Sequence, residues 1–353
     1  MDGGAGTDTL ALQGNYTNLV LTGVSNVEVL LAASGGDTRF GDAANNRYDY
    51  DIATVDANIG AGGTLTVIAS ELLAGEDLVF NGAAETDGRF RIFAGRGTDQ
   101  LTGGGGGDGF FFGADGNLTG ADRVNGGAGT DSIALRGNYV GATAIVFQDA
   151  SFTNVEVLTF LSGHTNEFGG AINLGGFDYD VTLANGNVAA GQRLDVIAGN
   201  LRANESARVD ARAELDGSVR IISGAGDDLL FGSAGNDILS GGLGADALDG
   251  SGGNDSYVYR TTTESTSASR DTIAFVSGDK IDVSLIDAIA GTPANEGFTF
   301  IGSAVFSNIS GQLRAAQSGG QWIVEGDVNG DGTADLVIAV TSAAPLTASD
   351  FIL

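Results

Sequence analysis

The stretch from Ser223 to Val258 reads SGAGDDLLF, GSAGNDILS, GGLGADALD and GSGGNDSYV, four nine-residue units in unbroken succession. Glycines in each unit permit the backbone conformations that a tight turn needs. An aspartate at the sixth position and an apolar residue two positions later recur in every unit: Asp228, Asp237, Asp246 and Asp255, then Leu230, Leu239, Leu248 and Tyr257. A flexible linker would not repeat an apolar residue at this spacing, so the stretch predicts stacked coils of a β-solenoid.

Longer repeats extend this pattern over much of the chain. GGAGTDTLALQGNY at residues 3–16 returns as GGAGTDSIALRGNY at residues 126–139. Between turns rich in Gly, Asn and Asp, short β-rich segments follow one another too closely for helices to intervene. The chain is therefore predicted to be all-β, a parallel β-roll or β-solenoid with two tandem modules of roughly 125 residues and a β-rich C-terminal cap. A β-sandwich built from antiparallel hairpins is the alternative.

The repeats also predict three domains. The first module would cover residues 1–125 and end in a short array, AGRGTDQLT and GGGGGDGFF. The second would cover residues 126–258 and end in the four-unit array, and the cap would cover residues 259–353. Because Met1 abuts the middle of a repeat, we expect the natural chain to continue upstream.

Composition restricts the partners. The chain has 353 residues, 45 acids against 16 bases and a formal net charge of −29. Such a charge repels itself unless cations bind, and it argues against nucleic acid and anionic membrane surfaces as partners. No run of 18 apolar residues is present, so no membrane span is predicted.

The four-unit array resembles the repeats-in-toxin (RTX) family, whose nonapeptides wind into a calcium-loaded parallel β-roll. In that family two units make one turn of the roll, which implies that Asp228 pairs with Asp246 and Asp237 with Asp255. The resemblance also implies four backbone carbonyls for each ion. They are those of Gly224, Gly226, Gly241 and Leu243 for one Ca²⁺, and of Ser233, Gly235, Gly250 and Gly252 for the other. Six oxygens suit Ca²⁺.

Four further aspartates lie in similar phrases. Asp99 and Asp108 belong to the short array but have no partner in the same register. Asp131 and Asp8 are the sixth residues of the two copies of the longer phrase, and we expect them to complete calcium sites with neighbouring coils. For Asp8 the expected partner lies upstream of Met1.

Residues 224–353 resemble the C-terminal domain of serralysin-type secreted proteases. The resemblance implies a β-roll capped by a β-rich domain, and the tail from Asp350 to Leu353 looks like a type I secretion signal. An oxygen-bearing residue also recurs at every second position of one segment: Asp327, Asn329, Asp331, Thr333 and Asp335. This spacing fits the start of an EF-hand loop, and a hairpin turn is the alternative.

No catalytic set is recognisable. HExxH, the zinc motif of serralysin-type proteases, is absent, there is no Cys, and His164 is the single histidine. We therefore predict a non-enzymatic, secreted calcium-binding protein with a structural or surface role, outside a Gram-negative cell. Its partners would be calcium ions, a type I exporter and a cell surface or polysaccharide. The alternatives are the carrier end of a larger exoprotein and a carbohydrate-active β-helix enzyme.

Overall fold

In the computed structural model, which describes residues 1–41, 46–113, 117–166 and 172–353, the chain forms two compact units. The first unit comprises residues 1–177 and 184–189, and the second comprises residues 178–183 and 190–353. No α-helix occurs among the described residues; short 3₁₀ turns lie at Asp56–Asn58, Gly141–Thr143, Thr262–Glu264 and Ala348–Asp350. The domain boundaries at 125/126 and 258/259 stay predictions.

The first unit is built from short strands, most of them three to five residues long. In chain order they are Thr9–Leu12 (β1), Tyr16–Val20 (β2), Val29–Ala32 (β3), Tyr50–Ala53 (β4), Thr64–Ile68 (β5), Leu78–Asn81 (β6), Arg89–Phe93 (β7), Gln100–Thr102 (β8), Gly109–Phe112 (β9), Arg123–Asn125 (β10), Ser132–Leu135 (β11), Ile145–Val146 (β12), Phe152–Thr153 (β13) and Val157–Phe160 (β14). One parallel sheet has the order β1-β3-β5-β7-β9-β11-β14, and the other has the order β2-β4-β6-β8-β10-β13.

Up to β11, strands two elements apart therefore pair, and the chain alternates between the two sheets; β10 then pairs with β13 and β11 with β14. Along one sheet Ile92 pairs with Phe110, Phe110 with Ile133, and Ile133 with Leu158. All four side chains are fully buried. Each coil thus adds one apolar rung to a continuous core, and the turns between strands lie in two stacks along the edges of the sheets.

The second unit repeats this arrangement. Its strands are Tyr179–Thr182 (β15), Arg193–Ile197 (β16), Ala207–Asp210 (β17), Ser218–Ile222 (β18), Leu229–Phe231 (β19), Ile238–Ser240 (β20), Ala247–Asp249 (β21), Ser256–Val258 (β22), Thr272–Ala274 (β23), Lys280–Asp282 (β24), Thr299–Phe300 (β25), Gln312–Ser318 (β26), Gln321–Asp327 (β27), Leu336–Thr341 (β28) and Phe351–Ile352 (β29). The sheet orders are β16-β18-β20-β22-β24-β29 and β15-β17-β19-β21-β23-β28-β27-β26-β25.

Pairing in the second unit is parallel as far as β28 and β29, and the C-terminal strands β26, β27 and β28 then pair antiparallel. The predicted parallel solenoid with a β-rich C-terminal cap is confirmed, and the antiparallel sandwich is not what forms. The two modules are visible in corresponding buried positions, such as Val67 and Val196 or Ile92 and Ile221, all of them fully buried.

Candidate calcium-binding turns

The nonapeptides of the second unit stack two units apart. Strand β19 pairs with β21, and β20 pairs with β22, so Leu230 lies beside Leu248 and Leu239 beside Tyr257. The turn 223–228 therefore lies against the turn 241–246, and the turn 232–237 against the turn 250–255. This register brings together the aspartate pairs that the resemblance implied.

Each aspartate of these turns uses one carboxylate oxygen to hold the neighbouring turn. The backbone N–H of Asp228 donates to Oδ1 of Asp246 at 2.8 Å, and that of Asp237 donates to Oδ1 of Asp255 at 2.8 Å. All four residues are at most 3% exposed. The two carboxylates of each pair are thus fixed in orientation by the backbone.

The second carboxylate oxygen is left without a partner in three of the four residues. Oδ2 of Asp228, Asp246 and Asp255 is buried and makes no hydrogen bond, whereas Oδ2 of Asp237 accepts from Ser233. A buried, unpaired carboxylate oxygen carries a large desolvation cost unless a cation or a donor meets it. These atoms therefore fit a bound cation.

Backbone carbonyls of the lower turn face the upper turn. Leu243 N–H donates to the Gly224 carbonyl at 2.9 Å. A Cβ at Gly242 would overlap that same carbonyl oxygen, and one at Gly244 would overlap the Gly226 oxygen. The two turns are nested too closely for side chains, which is why glycine is required there.

The second pair of turns has the same geometry. Gly252 N–H donates to the Ser233 carbonyl at 3.1 Å, and a Cβ at Gly253 would overlap the Gly235 oxygen. A Cβ at Gly250 would overlap Oδ2 of Asp255, and one at Gly241 would overlap Oδ2 of Asp246. Each pair of turns thus combines two carboxylates with several carbonyls, the donor set that Ca²⁺ prefers.

The buried carboxylates hold their protons more tightly than free aspartate. Burial, with the charge of Asp271 added, raises the pKa of Asp246 to about 8. Burial raises the pKa of Asp255 to about 7 and those of Asp228 and Asp237 to about 6. A divalent cation in the turns would favour the ionised forms and reverse these shifts.

The first unit contains a corresponding pair of turns. Strands β9 and β11 place the turn 103–108 against the turn 126–131, and Asp108 N–H donates to Oδ1 of Asp131 at 2.6 Å. Ala128 N–H donates to the Gly104 carbonyl at 2.9 Å. Oδ2 of Asp131 is buried and unpaired, and burial raises the pKa of this residue to about 7. Asp108 and Asp131 therefore lie together, a pairing that the sequence analysis did not predict.

Two family models match the chain. The model described as Peptidase M10 serralysin C terminal matches residues 198–353. The model described as RTX calcium-binding nonapeptide repeat (4 copies) matches residues 118–136, which include the turn of Asp131. The chain therefore contains RTX calcium-binding repeats and a serralysin-type C-terminal domain. No curated protein matches it.

The RTX protein is therefore a secreted calcium-binding protein, since calcium is the ligand of the nonapeptide repeat and the C-terminal domain is of the type I secretion class. The two matches contain the serralysin C-terminal part and the repeats, without a protease domain. Within the described ranges no helix is long and apolar enough to cross a membrane. That the RTX protein has no enzymatic activity stays a prediction.

Asp99 and Asp8 of the RTX protein lie in less complete surroundings. Asp99 N–H donates to Oδ1 of Asp122 at 2.7 Å, and part of the turn that carries Asp122, residues 114–116, lies outside the described residues. Asp8 N–H donates to Oε2 of Glu28 at 2.9 Å, while Oδ2 of Asp8 is buried and unpaired. Calcium binding by Asp99 and by Asp8 stays a prediction.

The segment from Asp327 to Asp335 connects β27 to β28. Both carboxylate oxygens of Asp327 accept backbone N–H groups, from Gly330 at 2.6 Å and from Gly332 at 2.9 Å. Asn329 Oδ1 and Asp331 Oδ1 likewise accept N–H groups of the turn, from Asp331 and Thr333, and Asp335 accepts from Val328 and Asn329. These contacts describe a hairpin turn, and calcium binding there stays a prediction.

Several acids of the turn stacks escaped the sequence analysis because no glycine phrase precedes them. Asp246 N–H donates to Asp271, Asp255 N–H to Asp279, and Asp131 N–H to Glu156, at 2.8 to 3.0 Å. A weaker sequence pattern could have found these acids, because each one lies two residues before a buried apolar residue of a strand. The pairs are Asp122 and Val124, Glu156 and Leu158, Asp271 and Ile273, and Asp279 and Ile281.

The described residues contain no group of three or more His, Cys, Asp or Glu side chains placed to hold a metal ion. The paired turns are sites of another kind, because each combines two carboxylates with backbone carbonyls.

Proposed function

We propose that this RTX protein is a calcium-stabilised structural or surface protein, whose solenoid becomes rigid after export because Ca²⁺ fills the paired turns. The ligand sets are the ones predicted for the turns 223–255, together with the turns 103–108 and 126–131. The observation that carries the proposal is the set of buried carboxylate oxygens without hydrogen-bond partners, on Asp131, Asp228, Asp246 and Asp255.

The outer faces of the sheets support a structural role. Arg208 forms ion pairs with Asp180 on the neighbouring strand and with Asp210 on its own strand, each at 2.8 Å. Arg220 pairs with Asp195 across two neighbouring coils. These half-buried cations thus connect successive coils, which favours a role of the body as a scaffold.

Export and calcium binding are linked in this proposal. In a cytosol with little calcium, the repelling carboxylates would keep the chain loosely folded and fit for a type I exporter. Outside a Gram-negative cell, at roughly millimolar calcium, even weak sites of the extracellular kind fill. Metal-binding energy then becomes folding energy. Contact with a cell surface or polysaccharide belongs to the same proposal.

Circular dichroism of the full chain tests this function. The β signal is expected to be weak in EGTA and to rise when CaCl₂ is added in excess, whereas MgCl₂ at the same concentration leaves it low. The same spectrum in EGTA and in CaCl₂ would overturn the proposal.

A further inference from the structure

The turn 82–88 of the first unit contains a buried glutamate with an unused oxygen. Glu85 is 1% exposed, and its Oε1 accepts the backbone N–H of Gly88 at 2.8 Å, with longer contacts to Thr86 and Asp87. Its Oε2 is buried and has no hydrogen-bond partner. A carboxylate oxygen in that state needs a donor or a cation.

Burial of a glutamate in these turns does not by itself leave an oxygen unpaired. Glu76, in the turn 69–77, is fully buried. Its Oε1 accepts from Gly35 N–H at 2.7 Å, and its Oε2 accepts from Leu73 N–H and the Ser34 hydroxyl, each at 2.7 Å. Both carboxylate oxygens of Glu76 thus have hydrogen-bond partners within the protein, whereas Oε2 of Glu85 has none.

The backbone of the 82–88 turn reproduces one feature of an RTX turn. Gly105 N–H donates to the Glu85 carbonyl at 2.8 Å. One coil further along the same stack, Ala128 N–H donates to the Gly104 carbonyl at 2.9 Å. The Glu85 carbonyl therefore stands where the second-position carbonyl of a nonapeptide turn stands.

A second carbonyl of this turn matches as well. A Cβ at Gly106 would overlap the Gly88 carbonyl oxygen, just as a Cβ at Gly129 would come too close to the Gly106 oxygen. The Gly88 carbonyl therefore occupies the fourth-position place. The 82–88 turn has no GGxGxD sequence, yet it presents the same two carbonyls to the turn above it.

The turn 103–108, which lies against the turn 82–88, contributes the carboxylate of Asp108. Asp108 is 2% exposed, and its two carboxylate oxygens accept N–H groups from Phe90 and Gly104, each at 2.6 Å. Glu85 lies beside the same glycine, because a Cβ at Gly104 would come within 3.1 Å of the Glu85 Cβ. Two buried carboxylates of like charge are stabilised together when a cation lies between them.

We propose that the turns 82–88 and 103–108 hold a further calcium ion, in which Glu85 replaces the aspartate of the lower nonapeptide. Its ligands are Oε2 of Glu85, the carboxylate of Asp108, and the carbonyls of Glu85 and Gly88. Calcium then binds one coil before the glycine phrase at residues 103–108. This inference rests on the proposed function, because it requires that the neighbouring turns bind calcium.

Native mass spectrometry of the full chain in CaCl₂ counts the bound ions. Glu85→Gln is expected to bind one ion fewer than the wild type, because the open oxygen becomes a neutral amide. Asp87→Asn is the matched control: its side chain is exposed in the same turn, and it should retain the wild-type count. Asp131→Asn should lose the ion of the neighbouring RTX pair.

The outcomes separate the two proposals. A wild type that binds no calcium overturns the proposed function. Loss of an ion in Asp131→Asn with an unchanged count in Glu85→Gln overturns only this inference. If Glu85→Gln fails to fold, wild-type crystals grown in TbCl₃ decide: an anomalous peak between Glu85 and Asp108 supports the site, and its absence beside a peak at Asp131 overturns it.

Discussion

The backbone N–H of Asp108 donates a 2.6 Å hydrogen bond to Oδ1 of Asp131 across 23 residues, and that of Asp228 donates the equivalent bond, 2.8 Å long, to Oδ1 of Asp246 across 18 residues. The first pair is therefore five residues further apart in the sequence than the second. The paired turns are therefore defined by their place in consecutive coils, and a fixed sequence spacing is not required.

Replacing Asp246 by Ala should remove a calcium site, whereas replacing Asp249 by Ala should not. Asp246 is buried between two turns, and its Oδ2 has no hydrogen-bond partner. Asp249 is the last residue of its nonapeptide, and its Oδ1 accepts a hydrogen bond from the N–H of Ser251. We expect Asp246→Ala to weaken one site by at least about tenfold, because ligand charge sets affinity in such sites.

Isothermal titration calorimetry of both variants at one pH measures this difference. Equal loss of calcium in the two variants would mean that the assigned register of the nonapeptide is wrong.

Acid should partly replace calcium. Burial raises the pKa of Asp246 to about 8 and that of Asp131 to about 7, both above the ordinary value of 3.8. The folded form then binds more protons than the unfolded form between these pKa values, so its stability is greatest at low pH and falls as the pH rises from about 4 to about 8. Calcium binding must therefore release protons.

Circular dichroism in calcium-free buffer should show more β structure at pH 5 than at pH 8, and excess CaCl₂ should remove the difference. More β structure at pH 8 than at pH 5 without calcium would contradict the assignment of protons to these turns.

Gly242→Ala should destabilise the calcium-loaded protein far more than Gly302→Ala. Both glycines have positive φ, 94° and 66°, which costs an alanine about 1 to 2 kcal/mol. At Gly242 the new Cβ would also overlap the Gly224 carbonyl, whereas it meets nothing within 4 Å at Gly302. Overpacking adds roughly 1 to 3 kcal/mol.

Urea unfolding in CaCl₂ gives the two free energies directly. A loss at Gly242 no larger than at Gly302 would show that the nested turns separate easily, and that the carbonyls are not held in place for an ion.

Much of this architecture follows from local sequence signals. The nonapeptides 223–258 predict parallel coils, because an apolar residue every ninth position can enter a core only where strands stack. The Asp108–Asp131 pair could not be predicted, since the connection after β9 changes the spacing. Asp271, Asp279 and Glu156 lack glycine phrases, and Glu85 reveals its open oxygen only through three-dimensional burial.

Export should depend on the C-terminal part of the chain. Deletion of residues 304–353 should retain the protein inside a Gram-negative host that carries a type I exporter, because the signal lies at the end. Deletion of residues 1–125 should leave export intact, since the tail and the array 223–258 both remain. Immunoblots of medium and cells measure the distribution, and export of the tail-less form would refute the assignment.

In the proposed function, calcium binds between the paired turns and completes their folding. Hydrogen–deuterium exchange of the full chain tests it most directly, in peptides that cover residues 223–258 and 103–131. We expect slow exchange of the amides of Asp108, Asp228 and Asp237 in CaCl₂ and fast exchange in EGTA. Equal exchange in the two conditions, at both turn stacks, would contradict it.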